Sequence, residues 1–221
     1  MNNALQTIFN YGLIAIVRSI KAEQVLPVAA ALQQGGVKVV EVAFNPSDEN
    51  TVTKTTKAIK AIKQHFKEKL LVGAGTVIKQ EFVTAAYRAG ADFIFSPNTD
   101  VEIIKLTKSL GLISIPGALT PSECMTAWNT GADLIKLFPI TVDKIDYVTN
   151  IMRPLSHIPF ICVGGTNLAT IPAFIKAGAI GVGTGLSILK PELVKTQNYA
   201  AITNLAAAHQ TAVLTAKGEK A

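Results

Sequence analysis

Two ionisable residues stand where the chain is otherwise apolar. Lys136 interrupts Leu134-Ile135-Lys136-Leu137-Phe138-Pro139, and Glu41 interrupts Val39-Val40-Glu41-Val42-Ala43-Phe44. Both runs have the composition of buried β-strands, which solvate a charge poorly. Burial disfavours an ammonium and draws a lysine pKa down from about 10.4. At that unperturbed value only about one lysine in 2,500 is a free amine at pH 7. With a pKa near ~7–8 the amine is a usable nucleophile toward a carbonyl. The competing reading is a buried stem whose ammonium reaches water, or a Glu41–Lys136 or Glu41–Arg18 ion pair that only satisfies itself.

Strand periodicity places these groups together. With alternation of two, Lys136 shares a face with Leu134 and Phe138, Glu41 with Val39, Ala43 and Asn45, and Arg18 with Ile14 and Ile16. Further candidates follow the ends of the apolar runs: Thr76 after Gly73-Ala74-Gly75, Pro97 after Ser96, and Pro116-Gly117. If the shared faces point to one interior, an acid and two bases meet at its mouth, an arrangement more typical of a functional site than of an isolated ion pair. Gly164-Gly165 and Gly183-Thr184-Gly185 allow backbone N–H groups to approach an anion, and a short helix starting near Leu186 would add its N-terminal dipole.

The elements that must position these residues alternate along the whole chain. Apolar, β-branched runs recur at 13–17, 37–42, 70–72, 92–95, 112–115, 134–137, 160–163 and 180–182. Helical spacing fills the intervals, as at 22–34, 49–66 and 80–89. Many helices meet a glycine stop, at Gly35-Gly36, Gly90, Gly111, Gly131 and Gly178. This is the arithmetic of an α/β fold, a (β/α)8 TIM barrel, as a single domain over residues 1–221. An open doubly wound sheet is the alternative, but no Gly-x-Gly-x-x-Gly opens the first helix.

Composition narrows the function classes. The net charge of +6 invites nucleic acid, yet there are only three arginines, and the lysines are scattered without interleaved aromatics. The expectation is therefore no nucleic-acid partner, with an anionic small molecule compatible with the charge. No apolar run approaches the ~20 residues of a membrane span. Residues 1–10 lack the pattern of a secretory signal, so no membrane association and a cytoplasmic location are expected. Cys124 and Cys162 lie in apolar settings without metal or redox spacing, which reads as buried free thiols. His65, His157 and His209 fall away from the strand ends, so no metal site and no cofactor are expected.

With these residues in view the chain resembles the KDPG/KHG aldolase family, the 2-keto-3-deoxy-6-phosphogluconate aldolases and their relatives. The likeness spans roughly residues 10–192. It rests on Glu41-Val42, Gly73-Ala74-Gly75-Thr76-Val77, Ser96-Pro97, Ile115-Pro116-Gly117, Lys136-Leu137-Phe138-Pro139 and Val163-Gly164-Gly165. The resemblance implies a metal-free class I aldolase, usually a homotrimer, serving carbohydrate metabolism of the Entner–Doudoroff type. It implies Lys136 as the Schiff-base lysine and Glu41 as the proton-transferring group. Thr76 would contact the substrate carboxylate, with Arg18 as a further anion contact, and Pro97 and Phe138 would line the pyruvate pocket. Gly164, Gly165 and the Thr184-Gly185 loop would hold the phosphate.

Two departures from the family pattern bear on the substrate. Many members carry an arginine four residues after the glutamate, where this chain has Asn45-Pro46-Ser47, partly like the galactonate branch. The serine often seen in the phosphate loop is missing, with Thr184 the nearest hydroxyl. The expected reaction is reversible cleavage of a phosphorylated 2-keto-3-deoxy sugar acid to pyruvate and glyceraldehyde 3-phosphate. The alternatives are a 4-hydroxy-2-oxoglutarate aldolase, a phosphosugar isomerase or epimerase with Glu41 as base, and a non-catalytic sugar-phosphate binder.

Overall fold

The structure is a computed structural model, described over residues 3–219. Its strands are β1 (Leu13–Val17), β2 (Val39–Ala43), β3 (Leu71–Gly75), β4 (Phe93–Phe95), β5 (Ile113–Ile115), β6 (Gly117–Ala118), β7 (Ile135–Leu137), β8 (Phe160–Val163) and β9 (Gly181–Thr184). The helices are α1 (Asn3–Tyr11), α2 (Val25–Gln34), α3 (Thr51–Phe66), α4 (Gln80–Arg88), α5 (Val101–Ser109), α6 (Pro121–Asn129), α7 (Ile145–Met152), α8 (Ile171–Lys176), α9 (Pro191–Lys195) and α10 (Tyr199–Lys217). All the pairings are parallel, in the order β5-β4-β3-β2-β1-β9-β8-β7-β6.

The two ends of that order are one stave of a closed barrel. β5 and β6 are consecutive in the chain and separated only by Pro116. The carbonyls of Ser114, Pro116 and Ala118 accept from the N–H groups of Asp133, Lys136 and Phe138 at 2.9, 2.9 and 3.0 Å, so this stave bonds to β7 along its length. Its other edge pairs with β4. Proline has no N–H, which explains the break where the sequence predicts a run ending at Ile115. Closure as a (β/α)8 barrel matches the expected architecture and excludes an open sheet.

Alternation within each strand sorts the core into two shells. Leu13, Ala15, Val17, Val40, Val42, Ile94, Ile135, Leu137 and Cys162 belong to the layer between strands and helices. Ile14, Val39, Phe93, Phe95, Ile113, Ile115, Leu134, Ile161 and Val163 form the barrel interior, joined by Ile8 from α1. That helix precedes β1 and contacts β2, β9 and α10. Its apolar side therefore packs against the foot of the barrel, which leaves the C-terminal mouth as the open end.

A repeated device fixes the same end of the strands. In Gly90-Ala91-Asp92 the carboxylate accepts from the Val72 N–H at 2.8 Å and from Lys63 at 2.8 and 2.9 Å. In Gly131-Ala132-Asp133 it accepts from the Ser114 N–H at 2.8 Å and from Lys108 at 2.7 Å. Each aspartate thus ties the start of its own strand to a neighbouring strand and to the preceding helix of its neighbour. Helix starts carry the expected caps: Asp100 accepts from two N–H groups of α5, and Thr120 with Glu123 forms a capping box on α6. Among the described residues, no helix is long and apolar enough to cross a membrane.

Candidate active site

Lys136 and Glu41 both point into the barrel, on the inward faces of β7 and β2. They are 7% and 2% exposed. Glu41 has room because β3 offers glycine on its inward face. In the β2–β3 ladder Glu41 lies opposite Gly73 and Ala43 opposite Gly75. The Glu41 side chain leans one rung toward the mouth and fills the place where Gly75 has no side chain. Gly73 is covered in the same way by the Phe93 ring. The glycines of Gly73-Ala74-Gly75 are therefore vacated space for side chains of the two flanking strands.

Neither charge is neutralised by contact. Among the described residues, no ion pair within 4 Å involves Lys136, Glu41 or Arg18. The self-satisfied ion pair is not what the fold builds. Instead the Lys136 Nζ sits over two aromatic faces, 4.3 Å from the Phe95 ring centroid and 4.4 Å from that of Phe138. Phe138, half-buried, belongs to the expected set and precedes a cis peptide bond to Pro139. Phe95 was missed because it reads as one more core aromatic. The available signal was its period-two relation to Phe93 at the end of a strand.

Burial decides the protonation of both groups. It lowers the Lys136 pKa from 10.5 to about 8; Glu41 opposes that fall, and Arg18 assists it. Burial raises Glu41 to about 7, against the pull of Lys136 and Arg18. At a pKa of ~8 about one lysine in ten is a free amine at pH 7, a gain of more than two orders of magnitude over an exposed lysine. Two titrating groups near neutrality, facing one interior, can supply a nucleophile and a proton shuttle.

Around them the mouth carries hydrogen-bond donors and one further cation. The Arg18 Nη2 donates to the Thr76 Oγ1 at 2.7 Å. Thr76 and Ser19, which follows Arg18, both have left-handed backbone, with φ of 56°. Such strain in non-glycine residues collects at functional sites. Since Thr76 accepts from arginine, its own hydroxyl hydrogen is available for an incoming acceptor. Half-buried Pro97 follows β4, and its carbonyl would collide with any side chain on Gly117. Asn45 is exposed on the rim, where its side-chain oxygen accepts from the Ser47 N–H at 3.2 Å and shapes the turn into α3.

The glycine loops meet above β8 and β9. Gly164 (φ 110°) lies against the Ile140 carbonyl, and Gly165 (φ 55°) against Thr141. The N–H groups of Gly164, Gly165, Gly185 and Leu186 donate to no backbone carbonyl among the described residues. Thr184 shares parity with outward-facing Val182, and its hydroxyl donates to the Thr166 carbonyl at 3.0 Å. Ser187, which the sequence reading passed over, donates to the same carbonyl at 2.6 Å. Both hydroxyl hydrogens are spent on holding the loop, so the donors it leaves free are backbone amides. No helix starts at Leu186: Ile188 and Leu189 close a single turn on the Gly185 carbonyl, and α9 begins only at Pro191. The proline holds Lys190 extended and stops the turn from propagating.

Comparison with known proteins agrees with this geometry. The chain matches the family model of KDPG and KHG aldolases over residues 6–205. It is 33% identical over 180 residues to the 2-dehydro-3-deoxy-6-phosphogalactonate aldolase of Escherichia coli K12, covering 80% of this chain and 84% of the relative. A solved native KDPGal structure superposes with a TM-score of 0.83 at 31% identity, covering 93% of this chain and 96% of the other. The KDPG aldolase of Legionella pneumophila, solved with pyruvate captured at low pH as a covalent carbinolamine, superposes with a TM-score of 0.81 at 26% identity, over 93% and 97% of the two chains. The match to the family model across most of the chain, together with the 33% identity to a relative covered over 84% of its length, shows that the chain belongs to the KDPG and KHG aldolase family of lyases.

Proposed function

We propose that the protein reversibly cleaves a 2-keto-3-deoxy-6-phospho sugar acid to pyruvate and glyceraldehyde 3-phosphate through an imine on Lys136. The observation that carries this reading is the buried Lys136 amine facing Glu41 without an ion pair. The Nζ lone pair attacks the C2 carbonyl, the oxygen takes a proton, and loss of water leaves C=N⁺–H. Glu41 accepts the C4 hydroxyl proton as the C3–C4 electron pair moves into the imine, releasing the aldehyde. The enamine is then protonated at C3, and hydrolysis returns pyruvate and the free amine. A carboxyl group titrating near 7 suits both directions of this transfer.

The remaining assignments follow the donors. The Thr76 hydroxyl, braced by Arg18, binds the substrate carboxylate, and Pro97 with Phe138 encloses the pyruvate carbons. The amides of Gly164, Gly165 and Gly185 receive the phosphate, with Thr184 supporting the loop rather than donating. Asn45 stands at the rim, where the hydroxyl stereochemistry of the sugar is sensed. Likeness to the phosphogalactonate aldolase favours the galactonate epimer. A homotrimer in the cytoplasm, in sugar-acid breakdown of the Entner–Doudoroff type, completes the proposal. The test is pyruvate release, coupled to lactate dehydrogenase, from the phosphogluconate- and phosphogalactonate-derived keto acids in parallel. Turnover of either supports the reaction, and their ratio sets the epimer. No pyruvate from either, by folded protein, would refute it.

A further inference from the structure

Phe95 lies on the inward face of β4 at its C-terminal end and is 1% exposed. Its ring is held on two sides. Phe93 meets it edge-on, with centroids 6.4 Å apart at 90°. On the β9 side its Cζ comes within van der Waals range of Gly183, 3.6 Å from where a Cβ would stand. Against this fixed ring lies the Lys136 Nζ, at 4.3 Å from the centroid, with Phe138 at 4.4 Å. The charged groups facing that nitrogen are Glu41 from β2 and Arg18 from the end of β1. The flanking strands place Gly117 and Ile161 opposite Lys136, and neither titrates.

We infer that Phe95 is a catalytic residue whose ring face, paired with Phe138, stabilises the positive charge that the Lys136 nitrogen carries in the protonated imine. This rests on the Schiff-base reading of Lys136 proposed above. The carbinolamine is neutral at nitrogen; the charge appears as water leaves and the nitrogen lone pair closes the C=N⁺–H bond. A ring quadrupole attracts that cation and does little for the neutral precursor, so its effect falls on the charged state that drains electrons from C3–C4. Unlike a carboxylate, a ring offers no oxygen to remove the imine proton. Phe95 therefore favours the cation without quenching it.

The experiment replaces Phe95 by mono-, di- and trifluorophenylalanine, which keep the ring shape and weaken its face stepwise. Two quantities are read: the Lys136 ammonium titration, by NMR of ¹³Cε-labelled lysine, and the rate of pyruvate imine formation trapped by borohydride. The titration midpoint should fall with each fluorine, and at pH 9, where the resting amine is mostly neutral, the trapped rate should fall to about a tenth in the trifluoro protein. Phe95→Leu should move both readouts the same way with an added loss of thermal stability. Midpoints and rates that stay constant through the fluorine series would reduce Phe95 to packing and overturn the proposal. A parent enzyme that forms no pyruvate adduct would defeat the Schiff-base reading itself, and is distinguished by failing before any substitution.

Discussion

The carboxylate of Glu41 occupies the space that a side chain on Gly75 would need: a Cβ there would lie 1.1 Å from the Glu41 Oε1 and 2.0 Å from its Cδ. Gly75 is needed for its emptiness and not for a left-handed backbone. Because the obstructed atoms end a flexible side chain, Gly75→Ala should fold and push the carboxylate away from the mouth. Turnover should then drop about 100-fold, as for Glu41→Gln, while the borohydride-trapped pyruvate adduct still forms. Steady-state kinetics with intact-mass trapping checks this. Near-normal turnover would mean that Glu41 does not act from this position.

Burial of Glu41 makes stability depend on pH in a defined direction. Its pKa is raised from 4.5 to about 7, so the folded protein keeps a proton that the unfolded chain releases. Stability from this group is full below about pH 4.5, falls as the pH rises, and is lost by about pH 7. Glu41→Gln should therefore raise Tm by several degrees at pH 8, for a gain on the order of 3 kcal/mol, and by much less at pH 4.5. Thermal melts of both proteins across that range test it, and a pH-independent difference would contradict it.

Arg18 acts on Lys136 through charge and on Thr76 through a hydrogen bond. Removing the cation in Arg18→Met relieves the pressure that lowers the lysine pKa. The acid limb of the kcat/KM profile should move to higher pH, and KM for the keto acid should rise severalfold as the Thr76 hydroxyl loses its brace. An unchanged limb, read from pH profiles of the two enzymes, would show that Arg18 exerts no field on the amine.

The two loop glycines should differ. Gly164 combines a φ of 110° with an Ile140 carbonyl 2.5 Å from any added Cβ, whereas Gly165 has a φ of 55° and a 3.2 Å approach to Thr141. Gly164→Ala should cost several kcal/mol and reduce the yield of folded protein. Gly165→Ala should fold and raise KM for the phosphorylated substrate more than for an unphosphorylated analogue. Chemical denaturation and paired KM measurements separate the two effects.

Much of this was legible because a closed barrel imposes one periodicity on every strand. Lys136 and Glu41 stand out against apolar neighbours, and counting by two carries each to the interior. Arg18, Thr76 and Phe138 follow from the same count or from adjacency to strand ends. Other features depend on partners distant in sequence. Thr184 is turned outward by its own parity with Val182, and its hydroxyl and that of Ser187 are claimed by Thr166. Phe95 is marked in the sequence only by its period-two relation to Phe93, and it is the fold that brings the Lys136 nitrogen over its face.

The central claim is that Lys136 becomes covalently attached to the substrate carbonyl carbon. The most direct measurement is incubation with pyruvate and sodium borohydride, followed by intact-mass analysis and peptide mapping, with Lys136→Ala alongside. A single reduced pyruvate adduct, confined to Lys136 and missing from the variant, is the predicted result. A folded enzyme that forms no adduct, or one labelled equally in Lys136→Ala, would contradict it.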